Sequence, residues 1–301
     1  MSDPVLAVHG GAGAWRAGHD EACEALTAAL REGEAALRAG ADALTAVQVA
    51  VEVLEDAPVL NAGRGAVPTA SGAFELDAAL MEGATRRAAA VAAVRGVRHP
   101  IALARAVLDR TPHAFLVGEG ARAIAAEAGL ELVGDDWFRT GQPSQPVVAP
   151  AVPRPSGPGP RAAGGSPHGT VGAVALDAEG RLAAATSTGG RHGQVDGRVG
   201  DCPVIGAGTY ANAVCAVSAT GDGEELIRAV AGHRVGTLVR DGGRALDAAC
   251  DVVLEDVRTL GGTAGLIAVD AEGTVALRFT TDAMARGFLR VGGEPFVAVR
   301  A

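Results

Sequence analysis

The stretch G-S-P-H-G-T-V-G-A-V-A-L, Gly165–Leu176, decides how the chain is read. The apolar run Val171–Leu176 is followed by D-A-E-G (Asp177–Gly180) and by R-L-A-A-A-T (Arg181–Thr186), which together spell a β-hairpin. Just before that hairpin stands Thr170, preceded by Gly169. The segment leading to it, Gln142–Gly169, holds eight of the fifteen prolines and almost no large apolar residue, so it is expected to be a mobile tail. A threonine between such a tail and a strand is the place for a nucleophile hidden until the chain is cut. Once the Gly169–Thr170 bond is broken, Thr170 carries a hydroxyl and a free α-amine on one residue. An α-amine has a pKa near 8, so the pair is a nucleophile with its own base. An ordinary threonine opening an ordinary strand is the plainer reading of these two residues alone.

Outward from this point the pattern alternates. Val5–His9 reads as a buried strand running into the glycine-rich H-G-G-A-G-A-W, His9–Trp15. Cys23, Leu26, Leu30 and Leu37 recur at helical spacing, as do Leu44, Val47, Val51 and Leu54. Pro100–Leu108 and Arg122–Ala128 are expected to be helical. Beyond the hairpin, Gly223–Val239 and Arg244–Leu260 read as two helices. A second hairpin, G-L-I-A-V/D-A-E-G/T-V-A-L-R-F (Gly265–Phe279), follows them. Alternating helical and strand groups fit an α+β domain with helices outside and sheets packed inside.

Composition narrows the function. The chain has 301 residues and a net charge of −9, which argues against nucleic acid as a partner. All 26 basic residues are Arg, so a P-loop and a pyridoxal-type Schiff base are excluded, and any amine acting as a base must be an α-amine. Cys23, Cys202, Cys215 and Cys250 lack C-x-x-C spacing and read as reduced thiols. The start has no secretory signal and no stretch of about 18 apolar residues occurs, so no membrane partner and a cytoplasmic location are expected.

Further motifs give the pattern its specificity: H-G-G-A-G (His9–Gly13), N-A-G-R-G (Asn61–Gly65), H-G-T-V-G-A-V (His168–Val174), T-S-T-G-G (Thr186–Gly190), G-R-V-G-D (Gly197–Asp201) and T-G-D-G-E (Thr220–Glu224). In this order they resemble the plant-type asparaginase/isoaspartyl peptidase family of N-terminal-nucleophile hydrolases, from roughly Val5 to Phe288. The resemblance implies a four-layer αββα sandwich, made as one precursor that cuts itself at Gly169–Thr170. The products would be an α-subunit, 1–169, and a β-subunit, 170–301, assembled as a dimer of αβ units. It implies Thr170 as nucleophile, Thr188 as its hydrogen-bonding neighbour, and Thr220 with the Gly221 N–H as oxyanion hole. Arg198 would grip the substrate α-carboxylate, and Asp201 with Gly223 would hold the α-ammonium. The substrates implied are L-asparagine and β-aspartyl dipeptides. No cofactor is implied beyond a structural sodium ion, held by the backbone carbonyls of Leu54, Glu55, Ala57, Leu60, Ala62 and Arg64.

Where that family often has F-N-S/T ahead of a methionine, this chain has Phe279-Thr280-Thr281 ahead of Met284, with Ala285 where an aromatic often follows. These departures bear on substrate preference. A glycosylasparaginase would share the nucleophile, but such proteins usually show H-D-T at the cut, against His168-Gly169-Thr170 here. An α/β-hydrolase needs a G-x-S-x-G elbow, and no serine has that setting. A nucleotide-binding domain lacks its G-x-G-x-x-G, and a non-catalytic binding module would have no use for the assembled motifs. His192 and Asn61 are expected to serve loops rather than chemistry.

Overall fold

The computed structural model describes residues 3–139 and 169–300. The expected tail at 142–169 therefore lies outside the described residues except for Gly169. Elements are numbered in chain order. One sheet has eight strands in the spatial order β12 (Phe296–Ala298), β11 (Ala283–Arg290), β1 (Val5–Gly13), β5 (Val171–Leu176), β6 (Leu182–Thr188), β2 (Leu76–Glu82), β3 (Ala88–Val94) and β4 (Phe115–Val117). Its neighbours are antiparallel except the parallel pair β3–β4. A second sheet has four antiparallel strands in the order β10 (Val275–Phe279), β9 (Ala264–Asp270), β8 (Cys215–Gly221) and β7 (Thr209–Ala211).

Alternation along each strand sorts side chains onto two faces. On β5, Val171, Ala173 and Ala175 join the core beneath the helices, whereas Val174 and Leu176 meet the second sheet. Helices α1 (His19–Arg38), α2 (Ala43–Glu55), α3 (Pro100–Arg110) and α4 (Gly118–Glu127) cover the first sheet. The outer side of the second sheet carries α5 (Gly223–Ala229), α6 (Ala231–Arg240) and α7 (Leu246–Thr259), packed through Leu226, Val235, Val253 and Val257. The fold is a mixed α+β arrangement with its sheets in contact.

Local chemistry sets the element ends. Asp42 caps α2 by accepting the Thr45 N–H at 2.8 Å. Pro100 opens α3, where its missing N–H costs nothing. Both D-A-E-G turns form, with Asp177 and Asp270 side chains accepting N–H groups two and four residues on. Two expectations need correction. Gly223–Val239 is broken into α5 and α6 by Val230, whose φ of 49° is left-handed and ends the first helix. The glycine-rich segment after His9 stays in β1 through Gly13, because a register shift between His9 and Gly11 lets the strand keep its pairing with β11. The four cysteines are free thiols, three of them buried and Cys23 partly so.

Candidate active site

The alternation that places Val174 and Leu176 between the sheets places Thr170 and Gly172 on that same face. Leu182 and Ala184 do likewise for Thr186 and Thr188 on β6, and Ala216 does so for Ser218 and Thr220 on β8. The layer between the sheets thus changes from aliphatic to hydroxyl-bearing along its length, and Thr170 sits at the hydroxyl end.

The Thr170 hydroxyl donates to Thr188 Oγ1 at 3.1 Å. Thr188 Oγ1 also accepts the Gly190 N–H at 3.2 Å, which fixes its position at the end of β6. Thr220 Oγ1, fully buried, accepts the Ala12 N–H at 3.3 Å. Gly169 is wedged among these groups. A Cβ there would stand 2.9 Å from Thr220 Oγ1 and 3.2 Å from Gly11 Cα. Gly11 itself has φ +108°, and a Cβ on it would come within 2.5 Å of the Gly169 N. Both glycines are therefore required for the two backbones to meet. Gly221 continues from Thr220 with φ +136°, at the exposed end of β8.

Two residues farther on, Gly223 opens α5 against the second group of side chains. A Cβ on Gly223 would lie 2.8 Å from Asp201 Oδ1 and 3.0 Å from Arg198 Nη2. Arg198 finds its hydrogen-bond partner across the site in Glu224. Its Nε and Nη2 donate to Glu224 Oε1 and Oε2 at 3.1 and 3.0 Å, a bidentate fork. Asp201 is 4% exposed, and its Oδ2 has no hydrogen-bond partner. Burial pushes the Asp201 carboxyl up to about 7, with Arg198 pulling it down and Glu224 and Asp77 pushing it up. Burial also acts on Glu224, but the Arg198 hydrogen bonds and charge, with help from Arg191, hold it down to about 2. Asp77, paired with Thr188 in the β2–β6 register, is raised to about 6 by burial despite the Ala93 N–H it accepts at 2.8 Å.

Asp77 and Glu224 were not singled out from the sequence. Glu224 completes the T-G-D-G-E motif, so its adjacency to Gly223 was the available signal. Asp77 lies in a run of apolar residues on β2, where a buried acid is itself the signal. Asn61 is buried and donates to the Gly190 carbonyl at 2.6 Å, while its backbone carbonyl accepts the Gly189 N–H at 3.0 Å. It ties the 54–65 loop to the residues after Thr188. His192 is exposed in a turn of the neighbouring loop.

The carbonyl-bearing residues Leu54, Glu55, Ala57, Leu60, Ala62 and Arg64 lie on one tight coil from the end of α2 through the 3-10 turn Gly63–Gly65. A Cβ at Gly63 would stand 2.5 Å from the Glu55 carbonyl oxygen, and one at Gly65 only 1.8 Å from that of Leu60. Among the described residues no group of three or more His, Cys, Asp or Glu could hold a metal ion. A groove of about 460 Å³, lined by Glu21, Ala28, Val53 and Val59 among others, contains none of the Thr170 cluster. Among the described residues no helix is long and apolar enough to cross a membrane.

The family described as asparaginase matches residues 2–298. The chain is 44% identical over 320 residues to the isoaspartyl peptidase of Salmonella typhimurium, covering 99% of both proteins. It is 42% identical over 305 residues to the plant-type L-asparaginase of Pyrobaculum calidifontis, covering 96% of this chain and 97% of that one. The isoaspartyl peptidase/L-asparaginase of Rattus norvegicus is 39% identical over 284 residues, 93% of this chain and 84% of that one.

Proposed function

The chain belongs to the asparaginase family, and from that premise we propose that it is a self-cleaving amidohydrolase releasing L-aspartate from L-asparagine and β-aspartyl dipeptides. The observation that carries this reading is the wedged Gly169–Thr170 peptide. Thr170 Oγ1 is held by Thr188 at 3.1 Å, and Thr220 Oγ1 stands where a Gly169 side chain would otherwise be.

In self-cleavage the Thr170 hydroxyl attacks the Gly169 carbonyl and the acyl group shifts from nitrogen to oxygen. Water then hydrolyses the ester, leaving residues 1–169 as the α-subunit and 170–301 as the β-subunit. In turnover the freed Thr170 α-amine takes the hydroxyl proton as Oγ1 attacks the substrate side-chain carbonyl. The Thr220 hydroxyl and Gly221 N–H donate to the oxyanion, whose charge exists only after attack. The leaving amine collects the proton, and water admitted by the same base releases aspartate from the ester.

The head group is read by opposite charges. Arg198, oriented by Glu224 on its Nε and Nη2, meets the α-carboxylate. The unpartnered Asp201 Oδ2 accepts the α-ammonium beside Gly223. The layering of α1–α4, the two sheets and α5–α7 supports a four-layer αββα sandwich of the N-terminal-nucleophile type. The coil from Leu54 to Arg64 supports a structural sodium, because crowded carbonyl oxygens suit a hard cation. Such an ion would offset the carbonyl dipoles and stiffen the loop that carries Asn61. A dimer of αβ units in the cytoplasm completes the proposal. Steady-state rates on L-asparagine and on β-Asp-Leu test it. Turnover of either, with aspartate as product, is expected; turnover of neither by the processed protein would reject it.

A further inference from the structure

Between the sheets, beneath Thr170, runs a chain of polar side chains that the chemistry above does not use. His9 Nε2 lies 2.9 Å from Ser218 Oγ, and Ser218 Oγ lies 2.8 Å from Thr186 Oγ1. Thr186 Oγ1 lies 3.2 Å from the Gly208 carbonyl oxygen, and Thr209 Oγ1 lies 2.7 Å from Thr186 Oγ1 and 3.0 Å from the Cys202 carbonyl oxygen, each hydroxyl having one proton to give among these acceptors. All four side chains are fully buried in a layer otherwise built from Val174, Leu176, Leu182 and Ile267. Burying four polar groups there is costly unless they satisfy one another.

The two ends of this chain are informative. His9 stands opposite Gly172 in the β1–β5 register, two residues after Thr170, and its ring lies against the Thr170 backbone. Gly172 has no room for a side chain: a Cβ would come within 2.0 Å of Ser218 Oγ and 2.5 Å of His9 Nε2. The other end meets Cys202 and Gly208, on the loop that carries Asp201; the Asp201 carbonyl accepts the Gly208 N–H at 3.0 Å. The polar chain therefore spans from the nucleophile's strand to the loop for the substrate's ammonium group, through β8 and β6.

We propose that His9, Ser218, Thr186 and Thr209 form an uncharged positioning relay that sets the distance between Thr170 and the Asp201 loop. The proposal rests on Thr170 being the nucleophile. Burial pushes the His9 imidazole down to about 3, so it is neutral throughout the working range. A neutral imidazole donates through one nitrogen, so whether Ser218 donates to His9 or accepts from it follows the His9 tautomer. His9 Nδ1, the ring nitrogen turned away from Ser218, is buried, and the ring lies against the Thr170 backbone. None of the four touches the reacting atoms; they act through the elements that they join.

Thr186→Val keeps the shape and removes the hydroxyl, whereas Thr186→Ser keeps the hydroxyl. In processed Thr186→Val, kcat/KM for β-Asp-Leu should fall by on the order of 10- to 100-fold, as expected for a misplacement of an ångström or less. Thr186→Ser should stay within about threefold of wild type, and Ser218→Ala should match Thr186→Val, with the double variant no worse than either. If Thr186→Val does not fold, Ser218→Ala against Thr186→Ser makes the same comparison. Wild-type kcat/KM in the hydroxyl-less variants, equal damage from Thr186→Ser, or fully additive losses would overturn the relay. An unprocessed but active wild type would instead reject the Thr170 reading on which it rests.

Discussion

Asp201→Asn should trade activity for stability, and the exchange should depend on pH. The wild-type carboxyl sits at about 7 in the folded protein, raised chiefly by burial. Near 3.9 in the unfolded chain, it binds its proton more tightly when folded, so its contribution to stability declines as pH rises from about 4 through 7. Relative to the protonated acid, the folded state is penalised by about 2 kcal/mol at pH 5.5 and by about 4 kcal/mol at pH 8. Asparagine carries no such penalty. Whatever fixed cost the amide brings, the stability of Asp201→Asn minus wild type should therefore increase by about 2 kcal/mol between those two pH values. Asp77, itself raised by burial and a charge neighbour of Asp201, should relax in the same direction. Urea unfolding of both proteins in a Thr170→Ala background, where each is one chain, gives the comparison at pH 5.5 and pH 8. The expected activity change, made in the processed form, is loss of the head-group anchor. A stability difference that is the same at both pH values, or that moves against the variant at pH 8, would show that Asp201 is not a strained buried acid.

Three further expectations follow from the same geometry. Gly11→Ala places a methyl within 2.5 Å of the Gly169 backbone at φ +108°, so self-cleavage should slow at least tenfold, read as uncut chain on a denaturing gel; wild-type processing would refute the wedge. Arg198→Lys keeps the charge but loses the planar fork, so kcat/KM on β-aspartyl substrates should drop on the order of 100-fold, while self-cleavage persists because it needs no external carboxylate. The chain has no Lys, so reductive methylation should label two amines in processed protein and one in Thr170→Ala, with activity lost in step with labelling of Thr170. Retained turnover after complete labelling would remove the α-amine as the base.

Both hairpins were legible because each strand is a short apolar run and each turn is D-A-E-G, chemistry that acts within four residues. The helices α1, α2 and α3 were legible through their spacing of Leu and Val. β2 and β3 were not: A-A-A-V-A-A-V on β3 carries no period of two, because both of its faces are buried and alanine serves on either. The break at Val230 was invisible because nothing in its own residue type demands a left-handed backbone. Within the site, Thr170, Thr188 and Thr220 came from motifs, and the structure brings them together. The Arg198–Glu224 fork was missed because the sequence places Asp201 nearer to Arg198, and only the fold brings Glu224 across. The relay from His9 to Thr209 joins residues as much as 209 positions apart in one step, a pairing that no local pattern can announce.

The claim on which everything else depends is the cut before Thr170. Intact-mass analysis of purified wild type and of Thr170→Ala tests it most directly. Wild type should give two chains, one ending at Gly169 and one beginning with Thr170, with hydrolytic activity appearing as the second accumulates. Thr170→Ala should give one uncut, inactive chain. An active Thr170→Ala protein, or an active wild type that remains whole, would contradict the account.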